Sequence, residues 1–243
     1  MKRRLNPDVR RASAGGFTLM ELLVSLFILA TVSGAVFEQV NQMQRKSGSE
    51  AMKLDLNQSA REFVDQTVRD LHMSGYPGRS MYTNPDNNPG MFAAGLISVS
   101  PTQIIFEGDV NNDGNVYNVN ILYVANDAND PNCPCIRRSI QNKAKVTDPL
   151  HPGIAVPYTE TTYVLPPGTG AGQSGEDLFA YYDQNGNAVD LSGGSDISTP
   201  GGIANLATIK TVKVNLSLLT TVRDPASNGQ IRNSMSATAR LNQ

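Results

Sequence analysis

The 243-residue chain has no tryptophan, two cysteines, two histidines and only 6% aromatic residues. A core must therefore rely on Val, Ile, Leu and Tyr. Two thiols cannot complete a four-ligand zinc site, and neither His72 nor His151 lies near Cys133 and Cys135 in sequence. Neither histidine sits in a recognisable motif with Ser or Cys, which argues against a hydrolase. The glycine-rich stretch 168–175 lacks the Lys-Ser/Thr of a phosphate-binding loop. No enzyme is expected from these residues. Proline is missing between Phe17 and Tyr76, so nothing forces a helix to stop there. A broad basic surface is missing too. The first 16 residues carry a net charge of +4 against −2 for the whole chain, which leaves −6 beyond them. Nucleic-acid binding through an extended basic face is not expected.

What is present lies first in residues 17–37, a 21-residue apolar run whose only charge is Glu21. At about 1.5 Å per residue it spans roughly 31 Å as a helix, enough to cross a bilayer core. Lys2, Arg3, Arg4, Arg10 and Arg11 precede it and predict a cytoplasmic amino-terminal end. A carboxylate in such a run costs roughly 2.5–3.5 kcal/mol near the bilayer centre. Glu21 therefore requires a shallow position or a partner. Cleavage after Gly16 would give Phe17 a free α-amino group, one helical turn from Glu21 on the same face. Each charge would cost less beside the other than alone. A plain signal anchor explains the run and its basic flank but leaves Glu21 unexplained. A secretory signal peptide has a shorter apolar region, although Ser33-Gly34-Ala35 imitates its cut site. A twin-arginine signal matches Arg10-Arg11 and little after it.

Gly16, Phe17, Thr18, Leu19, Glu21 and the apolar stretch to Phe37 together resemble the amino terminus of the type IV prepilin family, which includes the type II secretion pseudopilins. The resemblance implies cleavage after Gly16 and N-methylation of Phe17 by one peptidase/methyltransferase. It implies that Glu21 aligns each subunit with a neighbour's Phe17 amine, and that apolar helices pack into a filament core. It also implies an α+β fold: a long amino-terminal helix, membrane-spanning in its first half, packed on an antiparallel β-sheet domain. Further along, Ile104-Ile105-Phe106-Glu107-Gly108-Asp109, Asn112-Asp113-Gly114-Asn115, Ile136-Arg137-Arg138 and Phe179-Ala180-Tyr181-Tyr182-Asp183 resemble the minor pilin W and pseudopilin J branch. Major subunits usually carry a proline just after the apolar run, where this chain has Glu38. That departure favours a minor subunit.

The expected organisation is a leader over 1–16, a membrane or filament-core helix over 17–37, an amphipathic helix over 38–74 and a β-rich head over 75–243. Val40, Met43, Ala51, Leu54, Phe63, Val64, Thr67, Val68 and Leu71 recur at largely helical spacing. Ser47-Gly48-Ser49 predicts a bend, and Gly75-Tyr76-Pro77-Gly78 a stop. Strands are expected over 96–99, 103–106, 116–125, 136–140, 178–182, 209–219 and 230–241. Residues 79–95, 166–175 and 192–202 read as loops.

Two smaller motifs carry candidate chemistry. Asp109-x-Asn111-x-Asp113-Gly114-Asn115 matches the first half of a calcium loop, but position 120 is Asn and the flanks read as strands. A hairpin turn is the favoured reading, with calcium as the alternative; no other cofactor is expected. Cys133-Pro134-Cys135 would form a small disulfide in an oxidising periplasm, with free thiols or a redox pair as the alternatives.

The sequence thus predicts a minor type IV pilin-like subunit acting in a tip or initiation complex, with a type II secretion pseudopilus subunit as the rival. Its partners would be the prepilin peptidase, other minor and major pilins or pseudopilins, and the inner-membrane assembly platform. It would reside in the inner membrane and then in the filament, with its head in the periplasm or outside the cell. The alternative of another class is a membrane-anchored calcium-binding or receptor domain that never polymerises.

Overall fold

The computed structural model describes residues 16–83, 90–128, 133–143, 160–163, 177–220 and 223–241. It has a long amino-terminal helix and two antiparallel sheets, an α+β architecture consistent with a pilin-like fold. Helix α1 runs over Leu19–His72. Residues divide into two compact units, with the boundary between Ser47 and Gly48, inside α1.

The expected bend at Ser47-Gly48-Ser49 falls at this boundary, and the helix assignment continues through all three residues. A Cβ at Gly48 would lie 3.6 Å from Pro225 Cγ, an ordinary contact, and Ser49 beside it is buried. Beyond Gly48 the buried stripe is Leu56, Ala60, Phe63, Val64, Thr67 and Leu71, at steps of four, three, one, three and four. Leu54, expected on that stripe, points out and is 69% exposed; the phase is carried by Leu56, two residues on. The helix ends at His72; three residues on, Gly75 takes φ of 82° and its N–H donates to Glu107 O at 2.9 Å.

The first sheet has the order β5-β4-β3-β2-β1-β8. It comprises β1 (Leu96–Val99), β2 (Gln103–Gly108), β3 (Tyr117–Val124), β4 (Cys135–Asn142), β5 (Glu160–Tyr163) and β8 (Ser195–Asp196). The second has the order β10-β9-β6-β7, from β6 (Phe179–Tyr182), β7 (Ala188–Val189), β9 (Thr211–Leu219) and β10 (Arg232–Arg240). All pairings are antiparallel. Val212, Val214, Leu216 and Leu218 of β9 turn one face to the core, as their alternation predicts. One apolar cluster joins α1 to both sheets through Leu71, Phe106, Ile121, Ile136, Phe179 and Leu216, among others.

One expected loop contains a helix. Helix α2 covers Pro200–Thr208, and the Oγ1 of Thr199 accepts from Gly202 N at 3.0 Å. Glycines at 201 and 202 masked this start in the sequence, although Thr199 followed by Pro200 is a helix-initiating pair. Strand β5 was not expected. The segments 84–89, 144–159 and 164–176, and with them His151 and the glycine-rich stretch, lie outside the described residues.

Two buried ion pairs fasten the head. Arg138 on β4 donates from Nε and Nη2 to Asp70 Oδ2 of α1, at 3.0 and 2.7 Å. Lys143 Nζ meets Glu107 Oε2 at 2.6 Å, donates to Phe92 O at 3.0 Å and lies 5.0 Å over the Phe92 ring. Burial pushes the Glu107 carboxyl up, and the Lys143 ammonium opposes that shift.

Candidate functional site

The site begins with how α1 starts. Its first four N–H groups have no partner within the helix. Thr18 stands just before Leu19, and Glu21 is the third helical residue. Glu21 N–H donates to Thr18 Oγ1 at 3.3 Å, while the Glu21 carboxylate accepts from Thr18 N at 3.0 Å and from Thr18 Oγ1 at 3.1 Å. This is a capping box, in which each residue satisfies the other's N–H. Thr18-Leu19-Met20-Glu21 carries that signature in sequence, but the reading above assigned Glu21 only to a freed amine. In the uncleaved chain Phe17 N is a peptide nitrogen, so no such amine exists. The box turns the Glu21 carboxylate toward the N–H of the peptide between Phe17 and Thr18.

Gly16 precedes the helix, and a Cβ built there would touch nothing within 4 Å among the described residues. No contact among the described residues calls for glycine at that position.

After Glu21 the helix is apolar on every side. From residue 17 to 37, thirteen large apolar side chains are more than half exposed, from Leu23 and Val24 at 52% to Phe17 at 82%. At about 1.5–3 kcal/mol for each full burial, covering them is worth roughly 20–40 kcal/mol as an upper bound. The desolvation cost of one Glu21 carboxylate is smaller by an order of magnitude. Two hydroxyls in the run are tied to the helix itself. Ser25 Oγ donates to Glu21 O at 2.7 Å and Thr31 Oγ1 to Ile28 O at 2.8 Å. This is the one helix among the described residues that is long and apolar enough to cross a membrane.

The 109–115 segment forms the turn between β2 and β3. Asp109 accepts Asp113 N through Oδ1 at 3.0 Å and Gly114 N through Oδ2 at 2.9 Å. Asp113 accepts Asn115 N at 2.9 Å and the Tyr117 hydroxyl at 2.7 Å, and these bonds hold its carboxyl below the usual range, Tyr117 first. Asn112 and Gly114 take positive φ of 54° and 80°. All four carboxylate oxygens of Asp109 and Asp113 accept bonds, three from loop amides and one from the Tyr117 hydroxyl. Asn111 and Asn115 are exposed. No group of three or more His, Cys, Asp or Glu arranged for a metal occurs among the described residues.

Cys133 and Cys135 are disulfide-bonded at the start of β4. Arg137 pairs with Asp127 and also approaches Cys133 Sγ at 3.9 Å. His72 is exposed at the end of α1.

Residues 11–37 match the prokaryotic N-terminal methylation motif. No curated protein and no solved structure matches the chain. The motif is the type IV prepilin-like signature, and with the helix it supports a pilin-like or pseudopilin protein. Proteins bearing it are structural subunits rather than enzymes. The motif implies processing by a prepilin peptidase and assembly with other pilins, and it points to membrane anchoring and a pilus.

Proposed function

We propose that this chain is a minor type IV pilin-like subunit that joins a tip or initiation complex and lowers the cost of nucleating a pilus. The observation that carries the reading is the methylation motif with Glu21 retained inside an otherwise uncharged run. Residues 1–16 are the leader that stays cytoplasmic; the peptidase cuts after Gly16 and methylates Phe17. Residues 17–37 hold the subunit in the inner membrane and then in the filament core. Residues 38–74 continue the helix, and 75–243 form the periplasmic or extracellular head. Glu21 exchanges its Thr18 N–H for the Phe17 amine of a neighbouring subunit during assembly. The change favours the filament because it replaces a neutral donor with a cation in an apolar setting. Glu38, standing where major subunits usually carry proline, supports the minor role.

A pseudopilus subunit of type II secretion, J-like, is the second reading, favoured by the loose likeness over 100–220. The 109–115 loop works as a turn, with calcium binding as the alternative. Glu21→Ala tests the assembly role. The variant should insert and be processed, yet be depleted from sheared filaments when expressed beside the wild-type subunits. Incorporation at the wild-type level would contradict the amine-pairing role and favour an anchored domain that never polymerises. Gly16→Ser should leave the leader attached.

A further inference from the structure

The second sheet ends on one side in β7, only two residues long, and on the other in β10, which is nine. The first sheet also closes on one side with the two-residue β8. Edges are usually blunted by shortness, charged side chains, proline, a bulge or an inward-pointing charge. Strand β10 has only the two exposed arginines at its ends, Arg232 and Arg240, with seven uncharged residues between them. All nine of its residues pair with β9 in unbroken register, from Arg232 opposite Leu219 to Arg240 opposite Thr211. It has no proline, and its inward side chains, Asn233, Met235, Ala237 and Ala239, are uncharged.

The ladder fixes which backbone groups are free. Thr220 N donates to Ile231 O at 3.0 Å and Leu241 N to Lys210 O at 2.9 Å, so the odd-numbered residues of this stretch bond to β9. Asn215 N donates the other way, to Leu178 O at 2.8 Å, next to β6. The N–H and C=O groups of Arg232, Ser234, Ser236, Thr238 and Arg240 therefore face away from β9. No backbone partner for them occurs among the described residues. Their side chains are exposed.

We infer that β10 is a docking edge that accepts an extended strand from a different chain, one with a carboxylate at each end of a nine-residue stretch. A second copy of this chain is disfavoured. Antiparallel pairing of β10 with itself in full register puts Arg232 opposite Arg240 at both ends, and like charges directly opposite are destabilising. An incoming strand with acidic residues at those two places, roughly 27 Å apart, meets both arginines on the exposed face. Backbone bonds would supply affinity and the two charges register and choice of partner. The inference goes beyond the assembly role and stands without it.

The full chain in detergent micelles provides the test. Amide hydrogen exchange is followed residue by residue while the chain is titrated with two capped nonapeptides of alternating Val and Thr, one with Glu at both ends and one with Lys. In the free chain, amides 234, 236 and 238 should exchange faster than 235 and 237. The Glu-ended peptide should slow them, and the Lys-ended one should not. Ser236→Pro removes only an outward N–H, which an edge strand tolerates, and should weaken binding by about tenfold or more. Arg232→Glu combined with Arg240→Glu should invert the preference between the peptides; it decides the matter should Ser236→Pro not fold. Outward amides already protected in the free chain, protection that grows with protein concentration alone, or equal binding of both peptides would overturn the inference.

Discussion

Cutting the Asp70–Arg138 pair should cost the head more than any surface change. Both side chains are 7% exposed, and Asp70 Oδ2 takes two bonds from the guanidinium at 3.0 and 2.7 Å. The pair also joins α1 to the middle of β4, 68 residues away in sequence. Asp70→Ala withdraws that acceptor and leaves the Arg138 charge in a site shielded from water. Breaking a buried pair from one side costs about 3–5 kcal/mol. For a unit of this size each kcal/mol moves the midpoint by about 2–4 °C, so the fall should be roughly 6–20 °C. Replacing both partners, Asp70→Leu with Arg138→Met, removes the guanidinium together with its acceptor and should recover most of the loss. Thermal unfolding of the full chain in detergent, followed by near-UV circular dichroism, measures all four corners of the cycle. A fall below about 2 °C for Asp70→Ala, or a double variant as unstable as that single one, would refute the reasoning.

Further outcomes follow from the loops. Asp224 accepts Ser227 Oγ at 2.6 Å and Ala226 N at 3.0 Å, and these bonds hold its carboxyl down to about 2. Its folded pKa lies below the unfolded value of about 3.9, so its contribution is present above pH ~4 and lost as pH falls toward 2. Exchange of the Ala226 and Ser227 amides should quicken across that window, and Asp224→Asn should remove the pH dependence. Calcium at millimolar concentration should leave the thermal midpoint unchanged; a rise that Asp113→Ala abolishes would establish the loop as a cation site. Gly108→Ala should destabilise by about 1–3 kcal/mol in a denaturant titration, because a Cβ there overlaps the Met73 backbone, 2.8 Å from its carbonyl carbon. A neutral result would mean that the chain leaving α1 can shift away from β2.

What the sequence disclosed were features with strong local period or punctuation. Helix α1 was legible because apolar residues and the absence of proline reach as far as Gly75. Strands β3, β9 and β10 were legible as long runs over 116–125, 209–219 and 230–241, whereas for β4 only 136–140 was. Leu54 and Leu56 show the limit. A helical stripe read from scattered residues can be one phase out, because either leucine fits the count and only the shape of the sheets chooses. Asp70 with Arg138 and Glu107 with Lys143 left no local trace, since partners 68 and 36 residues apart meet only after the sheet has formed. Helix α2 was hidden by Gly201 and Gly202, whose low helix propensity outweighed the Thr199-Pro200 start. The capping box of Thr18 and Glu21 was legible at spacing three, but the spacing of four to Phe17 drew the attention to an amine instead.

The account stands on processing at residue 16. Mass spectrometry of the amino terminus, on protein from native membranes of cells with an active prepilin peptidase, tests it most directly. The account predicts a mature chain that begins at N-methylated Phe17. An intact Met1 in such cells would contradict it and leave Glu21 as a helix cap in an anchored domain.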